Sequence, residues 1–271
     1  MKSLKIIALI FTTFATTFSF AQELKMPIIE SHWKSKKVAF LGDSITDKKH
    51  IGTTKNYWQF LQESLSIEPL VYGINGQRFY HIPAQLEKLE KEHGRNFDTI
   101  IIFCGTNDFT KGLKLGEWYS LEDKQTNASG KMVVRKHRTL NTDVETFRGS
   151  INIALKLIKE KFPDKQVILL TPIHRGFATF SKTNVQPDES FCNKIGLFVD
   201  AYIDAVKEAS NVWAVNVIDL NAICGLYPSL PSYADCFANK ERDLLHPNAK
   251  GHYRMAKALT YKLLSYPANW E

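Results

Sequence analysis

The 271-residue sequence lacks several patterns that mark common classes of binding site. It contains no C-x-x-C and no H-E-x-x-H pattern, which argues against a metal site. It contains no long block of lysine and arginine, so nucleic acid is not expected as a partner. No linker rich in Pro, Ser and Gly, no internal repeat and no low-complexity segment divides the chain, which favours a single folded domain.

Cysteine is scarce, with four residues. Cys104 follows an apolar run and is expected to be a small buried residue. Cys224 and Cys236 enclose a loop rich in Pro, Ser and Tyr, and an oxidising compartment would allow a disulfide between them. The sequence leaves that disulfide open. No cysteine lies near residue 21, so a lipid-anchored form is not indicated.

Neither sign of charge dominates. The chain has 35 Lys and Arg against 28 Asp and Glu, a formal net charge of +7. Omitting Lys2 and Lys5 of the N-terminal segment leaves 33 − 28 = +5, a mild excess that is spread along the chain. A hydrophobic content of 44% with 23% charged residues is typical of a soluble globular protein.

The N-terminal segment has the pattern of a secretory signal peptide. Lys2 and Lys5 precede an apolar run over residues 6–20, and Ser19-Phe-Ala21 matches the small-x-small cleavage pattern. We predict a signal peptide over residues 1–21 and an exported protein, periplasmic or secreted, without stable membrane insertion after cleavage. A membrane anchor is the competing interpretation, but the run is short for a bilayer span and holds five Thr and Ser residues.

Beyond the signal peptide, apolar runs alternate with segments of helical periodicity. Strands are predicted at residues 37–41, 69–72, 99–103, 167–170 and 212–218. Helices are predicted at residues 56–66, 82–92, 144–162, 187–209 and 247–264. Such alternation favours right-handed β-α-β crossovers, so we expect one α/β domain over residues 22–271, with a parallel sheet between two helix layers.

Residues 111–143 interrupt this alternation. The segment is polar, has little periodicity and contains Gly112, Gly116 and Gly130. Loops of this length in compact domains are usually functional or disordered. We expect a loop excursion over the binding crevice, with a mobile lid as an open interpretation.

Residues suited to acyl transfer stand at the ends of predicted elements. Ser44 follows the first strand, at the edge where open α/β sheets bind ligands, and is the candidate nucleophile. His246 is the candidate base, and Asp243 is close enough in sequence to orient it. The backbone N–H groups of Ser44 and Gly76 and the side-chain amide of Asn107 are candidate donors to an oxyanion.

These residues belong to four short motifs, which occur in the order Gly42-Asp-Ser-Ile45, Gly76, Gly105-Thr-Asn-Asp108 and Asp243-Leu-Leu-His246. The set resembles the four sequence blocks of the SGNH (GDSL-type) hydrolase superfamily, across the whole chain after the signal peptide. The resemblance implies a flavodoxin-like three-layer α/β/α fold with a five-stranded parallel sheet of order 2-1-3-4-5. It also implies a serine esterase that uses no metal, nucleotide or other cofactor.

The resemblance assigns roles to the same residues. It implies Ser44 as nucleophile, His246 as base, Asp243 as its orienting partner, and Gly76 and Asn107 as the rest of the oxyanion hole. One departure is at the second block, where the family often has Ser-Gly-Asp and this chain has Asn-Gly-Gln at residues 75–77. Asp108 is expected to cap the segment that follows it.

The substrate is less well specified. His174 and Arg175 follow the fourth predicted strand on the crevice side, and Trp118 lies in the excursion, so all three are candidates for substrate contact. We expect small acyl esters as substrates, in particular O-acetyl esters of carbohydrates. The alternatives are a lipid esterase (lysophospholipase), a thioesterase, an acyltransferase with the same triad, and a catalytically silent carbohydrate-binding module. The sequence leaves the acyl group, the alcohol and the oligomeric state open.

Overall fold

The computed structural model describes residues 24–270, and the predicted signal peptide lies outside this range. The strands are β1 (Lys37–Gly42), β2 (Glu68–Val71), β3 (Thr99–Phe103), β4 (Tyr119–Ala128), β5 (Lys131–Leu140), β6 (Gln166–Leu170), β7 (Ala178–Ser181), β8 (Asn184–Gln186), β9 (Asn216–Ile218), β10 (Phe237–Asn239) and β11 (Asp243–Pro247). The helices are α1 (Tyr57–Leu65), α2 (Ile82–His93), α3 (Thr106–Lys111), α4 (Phe147–Lys161), α5 (Val199–Trp213), α6 (Leu220–Ile223) and α7 (Ala249–Leu263). Within residues 24–270, none of these helices combines the length and apolar composition needed to cross a bilayer.

Five strands form an all-parallel central sheet in the order β2-β1-β3-β6-β9. When only these strands are counted along the chain, the order is 2-1-3-4-5, which confirms the predicted sheet. The chain adds β2 on one side of β1 and then β3, β6 and β9 on the other. A crevice therefore opens at the carboxyl ends of β1 and β3, where the connections diverge.

Side chains of the central strands alternate between two cores. Ala39 and Leu41 of β1 pack with the layer formed by α2, α4 and α5, whereas Val38 and Phe40 pack with α1 and α7. All four side chains are fully buried. A sheet covered on both faces needs apolar residues at every position, which is why these strands read as continuous hydrophobic runs. The predicted three-layer α/β/α architecture is confirmed.

Capping side chains determine where two of the helices begin. The Thr146 hydroxyl accepts a hydrogen bond from the N–H of Gly149 at the start of α4. The Asn248 side chain accepts from the N–H groups of Lys250 and Gly251 at the start of α7. The last helix therefore begins two residues later than predicted, and Pro247 belongs to β11 instead.

Four further strands form a second, antiparallel sheet in the order β10-β11-β7-β8, which the sequence analysis did not predict. Its strand β11 carries both Asp243 and His246. Asp243 pairs with Ala178 of β7, so the second sheet is built onto the strand that holds two of the candidate catalytic residues.

The helix predicted at residues 187–209 begins only at Val199. Oδ1 of Asn193 accepts from the N–H groups of Ile195 and Leu197, each at 3.1 Å, and this local turn competes with a helix. Phe191 and Ile195, which lie within the predicted helix, are correspondingly exposed, at 59% and 41%. The helix continues to Trp213, which shortens the last predicted strand to β9.

The predicted loop excursion contains a long antiparallel ribbon, hereafter the ribbon, formed by β4 and β5. The two strands pair over ten residues each, from Tyr119 opposite Leu140 to Ala128 opposite Lys131. None of its residues is buried, and most are solvent-exposed. With neither face buried, the strands need no apolar alternation, and the sequence showed no strand pattern there.

The cysteines are unbridged. Cys224 and Cys236 are buried free thiols, so the disulfide left open by the sequence is not formed in this structure. Cys104 is buried at the end of β3, as expected for a small apolar residue.

Candidate active site

Ser44 lies in a tight turn immediately after β1. Gly42 ends the strand so close to β3 that a Cβ atom there would overlap the carbonyl oxygen of Phe103, and only glycine fits. The carbonyl oxygen of Asp43 then accepts from the N–H of Thr46 at 3.1 Å, which closes the turn. The chain geometry thus places Ser44 at the carboxyl edge of the sheet, as predicted.

The Ser44 hydroxyl meets His246 although 202 residues separate them. Ser44 Oγ lies 3.0 Å from Nε2 of His246, and Nδ1 of the same ring lies 2.8 Å from Oδ2 of Asp243. A carboxylate only accepts hydrogen bonds, so Nδ1 carries the ring proton and Nε2 accepts from the serine. The structure therefore joins the three residues in one hydrogen-bonded chain. Ser44 and His246 are each 4% exposed, so little of either side chain is open to solvent.

Asp243 is held in place by its own strand. Its Oδ1 accepts from the N–H groups of Leu245 at 3.1 Å and His246 at 3.0 Å, while its Oδ2 accepts from Nδ1–H of the His246 imidazole. Burial raises the pKa of this carboxyl, but the hydrogen bond and charge of His246 and the two backbone N–H groups outweigh burial and leave the pKa below its usual value. Asp243 is therefore a carboxylate at neutral pH.

The loop after β2 is bound to the serine turn. The N–H of Asn75 donates to Oδ2 of Asp47 at 2.8 Å. Gly76 follows at an exposed position with φ +79°, a conformation that favours glycine. Among the described residues, neither the N–H of Gly76 nor that of Ser44 has a protein acceptor. Both groups are free to donate to a substrate oxygen.

Asn107 lies in the first turn of α3, directly after β3. Its side-chain Nδ2 donates to the carbonyl oxygen of Gln77 at 2.9 Å, which joins it to the loop of Gly76. One of the two amide hydrogens is used in this bond, and the other remains available. The structure thus links Asn107 to the loop of Gly76.

Two buried carboxyl groups lie beneath the site. Burial raises the pKa of Asp43 and of Asp108 to about 7 each, and the charge of Asp43 contributes to the rise at Asp108. Oδ2 of Asp108 accepts from the N–H of Phe79 at 3.2 Å. Asp108 therefore ties α3 to the segment before α2 instead of capping α3, contrary to prediction.

Gln85 of α2, which was not among the predicted site residues, holds the serine turn in place. Its side-chain amide bonds the backbone of Gly42 twice, accepting from N–H and donating to C=O at 2.8 Å each. It also donates to the side chain of Gln77. The signal was present, because Gln85 is a polar residue on the buried stripe shared with Ile82 and Leu86.

The two candidates for substrate contact after β6, His174 and Arg175, differ in their exposure to solvent. His174 is partly exposed, and its Nδ1 lies 2.7 Å from Oε1 of Glu189, a hydrogen bond that raises the pKa of the imidazole. Arg175 is only 1% exposed, and its guanidinium bonds protein side chains. Its burial and its protein partners give no support to the prediction that Arg175 contacts substrate.

Trp118 lies at the base of the ribbon. Its indole N–H donates to Oε2 of Glu208 on α5 at 2.8 Å, and the ring packs against the core that contains α4 and α5. Among the described residues, no hydrogen bond or ring contact connects Trp118 with Ser44 or His246. Its contacts give no support to a role in substrate binding.

The arrangement supplies a hydroxyl, a base, an orienting carboxylate and neutral donors, which are the components of acyl transfer. In residues 24–270, no group of three or more His, Cys, Asp and Glu side chains is arranged to hold a metal ion.

Comparison with known families agrees with this geometry. Residues 40–254, well over half of the chain, match the model of the GDSL-like lipase/acylhydrolase family. The matched range includes all four sequence motifs. A search of curated proteins found no match.

Several solved structures share the fold. A protein from Lactobacillus plantarum superposes with a TM-score of 0.65 at 23% identity, over 86% of this chain and 98% of its own. For a possible lipase from Chitinophaga pinensis, the TM-score is 0.62 at 19% identity, over 84% and 98%. For an acetylxylan esterase from Geobacillus stearothermophilus, solved as a catalytic mutant, it is 0.51 at 18% identity, over 87% and 96%. At these identities the likeness concerns the fold alone.

Proposed function

Because the chain belongs to the GDSL-like lipase/acylhydrolase family and is an ester-bond hydrolase, we propose that it is a serine esterase acting on small acyl esters. The observation that carries the proposal is the hydrogen-bonded chain from Ser44 through His246 to Asp243. In this proposal Ser44 is the nucleophile, His246 is the general base, and Asp243 holds the imidazole in the required tautomer.

Acylation begins with attack of Ser44 Oγ on the ester carbonyl carbon, while the hydroxyl proton passes to Nε2 of His246. The carbonyl oxygen becomes negative and accepts hydrogen bonds from the N–H groups of Ser44 and Gly76 and from the Asn107 amide. The carbon–oxygen bond to the alcohol then breaks, and His246 gives its proton to the departing oxygen. The products are free alcohol and an acyl group on Ser44.

Deacylation repeats these steps with water. His246 takes a proton from the water as its oxygen attacks the acyl carbon, and the same donors hold the second oxyanion. The bond to Ser44 Oγ breaks, the serine regains its proton from His246, and the carboxylic acid leaves. Asp243, ionised because of its lowered pKa, stabilises the imidazolium that forms in both halves.

We propose O-acetyl groups on carbohydrates as the substrate class. The support is the motif resemblance and the acetylxylan esterase among proteins of the same fold. Lipid esters, thioesters and transfer to an acceptor other than water use the same chemistry, so they are the alternatives to be tested.

We also propose that the protein is exported and that residues 22–271 form the mature domain. The support is the charge, apolar run and cleavage pattern of residues 1–21. N-terminal sequencing of protein recovered outside the cytoplasm is expected to begin at Gln22. Recovery of the uncleaved chain would contradict the proposal.

Replacement of the nucleophile tests the esterase. Ser44→Ala is expected to lower kcat for p-nitrophenyl acetate by about 10⁴–10⁶-fold, since the remaining hydrogen-bond donors supply only residual catalysis. A fluorophosphonate probe should label the parent protein and not the variant. Parental turnover by Ser44→Ala would eliminate the proposed mechanism, and an unlabelled, inactive parent would favour a silent carbohydrate-binding module.

The substrate class is tested separately. Turnover of acetyl esters should exceed that of octanoyl esters, because a long acyl chain needs an apolar groove. A panel of acetylated glycans should release acetate. Preference for octanoyl esters would favour the lipid esterase, and acetate appearing on an added sugar instead of in solution would favour the acyltransferase.

A further inference from the structure

Arg175 is a buried cation that has only neutral partners for its side chain. Its Nη1 donates to the hydroxyls of Thr110 at 2.7 Å and Thr106 at 3.2 Å, and its Nη2 donates to Oε1 of Gln186 at 2.8 Å. Across residues 24–270, no carboxylate forms an ion pair with the guanidinium, and Nε has no hydrogen-bond partner. A salt bridge therefore does not explain why the charged side chain of Arg175 is buried.

Such an arrangement is costly for folding. Burial lowers the pKa of Arg175 to about 10, and the charges of Glu189 and Asp188 only partly offset burial. Buried charges are normally paired, because desolvation is expensive. An apolar residue of similar volume would avoid this desolvation cost. The presence of an arginine at position 175 therefore needs another explanation.

The side chain of Arg175 holds the helix that carries Asn107. Thr106 and Thr110 lie on either side of Asn107 in α3, and the guanidinium sits 5.1 Å above the ring of Phe109 in the same helix. Helix α3 has only six residues, too few to be stable without tertiary contacts. Its orientation, and with it the direction of the Asn107 amide, depends on contacts such as these.

The backbone that follows Arg175 holds the strand of the base. The N–H of Gly176 donates to the carbonyl oxygen of Leu244, and the N–H of Leu244 donates to the carbonyl oxygen of Phe177, each at 2.9 Å. Leu244 lies on β11 next to Asp243. Gln186, which accepts from the guanidinium, belongs to the same antiparallel sheet.

We infer that Arg175 is a positioning residue, which sets the distance between the amide of Asn107 and the imidazole of His246. One residue spans the two parts because its side chain binds α3 while its neighbours in the chain pair with β11. This inference rests on the proposed esterase. A misplacement of about 1 Å in such a site can cost about 10²-fold in rate.

The variant Arg175→Met tests the inference because methionine retains much of the volume and removes the charge and donors. Because the guanidinium has no charged partner, its removal leaves no unpaired buried charge, so the variant is expected to remain folded. We expect kcat for p-nitrophenyl acetate to fall about 10–100-fold, with KM changed less than about threefold. Arg175→Lys, which keeps one donor group, should recover part of the loss.

Arg148→Met is the matched control. Arg148 also bonds across elements, to Glu208 and to the carbonyl oxygen of Gly116, but at the base of the ribbon. Its kcat should stay within about twofold of the parent. A folded Arg175→Met protein with parental kcat would overturn the inference.

A double-mutant cycle with Asn107→Ala separates positioning from general loss of structure. If Arg175 acts through Asn107, adding Arg175→Met to Asn107→Ala should lower kcat by less than about threefold further. Independent, multiplying effects would overturn the inference. Should Arg175→Met fail to fold, the isosteric Thr106→Val removes one acceptor and is expected to lower kcat about three- to tenfold, with the same lack of additivity.

Failure of the inference can be told apart from failure of the esterase proposal. A parent enzyme that does not hydrolyse the ester, or a Ser44→Ala variant as active as the parent, contradicts the proposed function. An active parent that Ser44→Ala inactivates and Arg175→Met does not contradicts the inference alone.

Discussion

Two antiparallel additions interrupt the alternation of strands and helices, and they differ in what they contact. The four-stranded sheet contains Asp243 and His246, and it places the ring of Phe180 5.4 Å from the imidazole of His246. The ribbon makes hydrogen bonds within itself, and at its base the Asn152 amide bonds the carbonyl oxygens of Trp118 and Asn141. Among the described residues, no bond leads from the ribbon to the site.

The difference shows that contact with the reacting groups, not the type of secondary structure, distinguishes the two additions. A change in the four-stranded sheet is transmitted to His246 through its strand. A change in the ribbon can affect the rest of the domain only through the residues at the base of the ribbon. Matched substitutions in the two regions should therefore have unequal effects on catalysis and similar, small effects on folding.

The largest difference is expected for two aspartates. Asp243→Asn keeps the shape but allows the wrong imidazole tautomer, so kcat should fall about 10³–10⁴-fold. Asp123, whose carboxylate pairs with Lys136 at 3.0 Å, is the matched residue on the ribbon. Asp123→Asn should leave kcat within about twofold, as expected for an exposed pair. Steady-state kinetics with p-nitrophenyl acetate decide, and a loss below about tenfold for Asp243→Asn would contradict the proposed role.

Two glycines with similar backbone conformations give a second test. Gly52 has φ +73°, and a Cβ atom there would lie 2.9 Å from Cβ of His246 and 2.8 Å from Cβ of Ala238. Gly130 at the ribbon tip has φ +78° and nothing within 4 Å of the same position. Both alanine variants strain the backbone by about 1–2 kcal/mol, but only Gly52→Ala displaces the base.

Gly52→Ala should consequently lower kcat by about tenfold, whereas Gly130→Ala should not change it. Fluorophosphonate labelling rates measured beside the kinetics report on the Ser44–His246 pair directly. Equal kcat values for the two variants would contradict the prediction. They would show that the loop of Gly52 can shift without moving His246.

The strands of the central sheet could be predicted because burial restricts the residues that they can contain. The central strands β1, β3 and β6 are buried on both faces and must be apolar throughout, and all five strands were recognised from their apolar runs. Their order was implied by the family resemblance and agrees with the structure. The candidate residues of the site could be selected because each stands in a short motif at the end of an element. The meeting of Ser44 with His246 depends on tertiary packing and became visible only in the structure.

The two additions were missed for different physical reasons. Strands β7, β8, β10 and β11 have three to five residues each, too short for a periodic pattern to emerge. The ribbon is long but exposed on both faces, so its sequence shows no alternation of apolar and polar residues that would predict paired strands. Gln85 was overlooked because a polar residue within an apolar stripe looks like an interruption, whereas its amide satisfies the backbone of Gly42.

A smaller effect concerns stability and pH. Burial raises the pKa of Asp108 to about 7, so the folded state retains a proton that the unfolded state releases from about pH 4 upward. The free energy of unfolding therefore falls as pH rises from about 4 to about 7 and levels off above this range. Asp108→Asn removes this contribution while keeping an acceptor for the N–H of Phe79.

Urea unfolding at pH 5 and pH 8 measures the effect. Relative to the parent, Asp108→Asn should be stabilised more at pH 8 than at pH 5. Part of the pH dependence should remain, because burial also raises the pKa of Asp43 to about 7. A pH-independent difference between variant and parent would show that Asp108 does not titrate in this range.

The smallest effect is expected from removing the ribbon. The N–H of Asn141 donates to the carbonyl oxygen of Trp118 at 3.0 Å, so a short Gly-Ser linker can replace residues 119–140 without moving either end. A two-stranded ribbon with no layer beneath it is marginally stable by itself and contributes little to the folding free energy. The melting temperature should change little, and kcat and KM for p-nitrophenyl acetate should stay within about twofold. A mobile lid over the crevice requires the opposite result, because a lid that excludes water or completes the site would lower kcat when deleted.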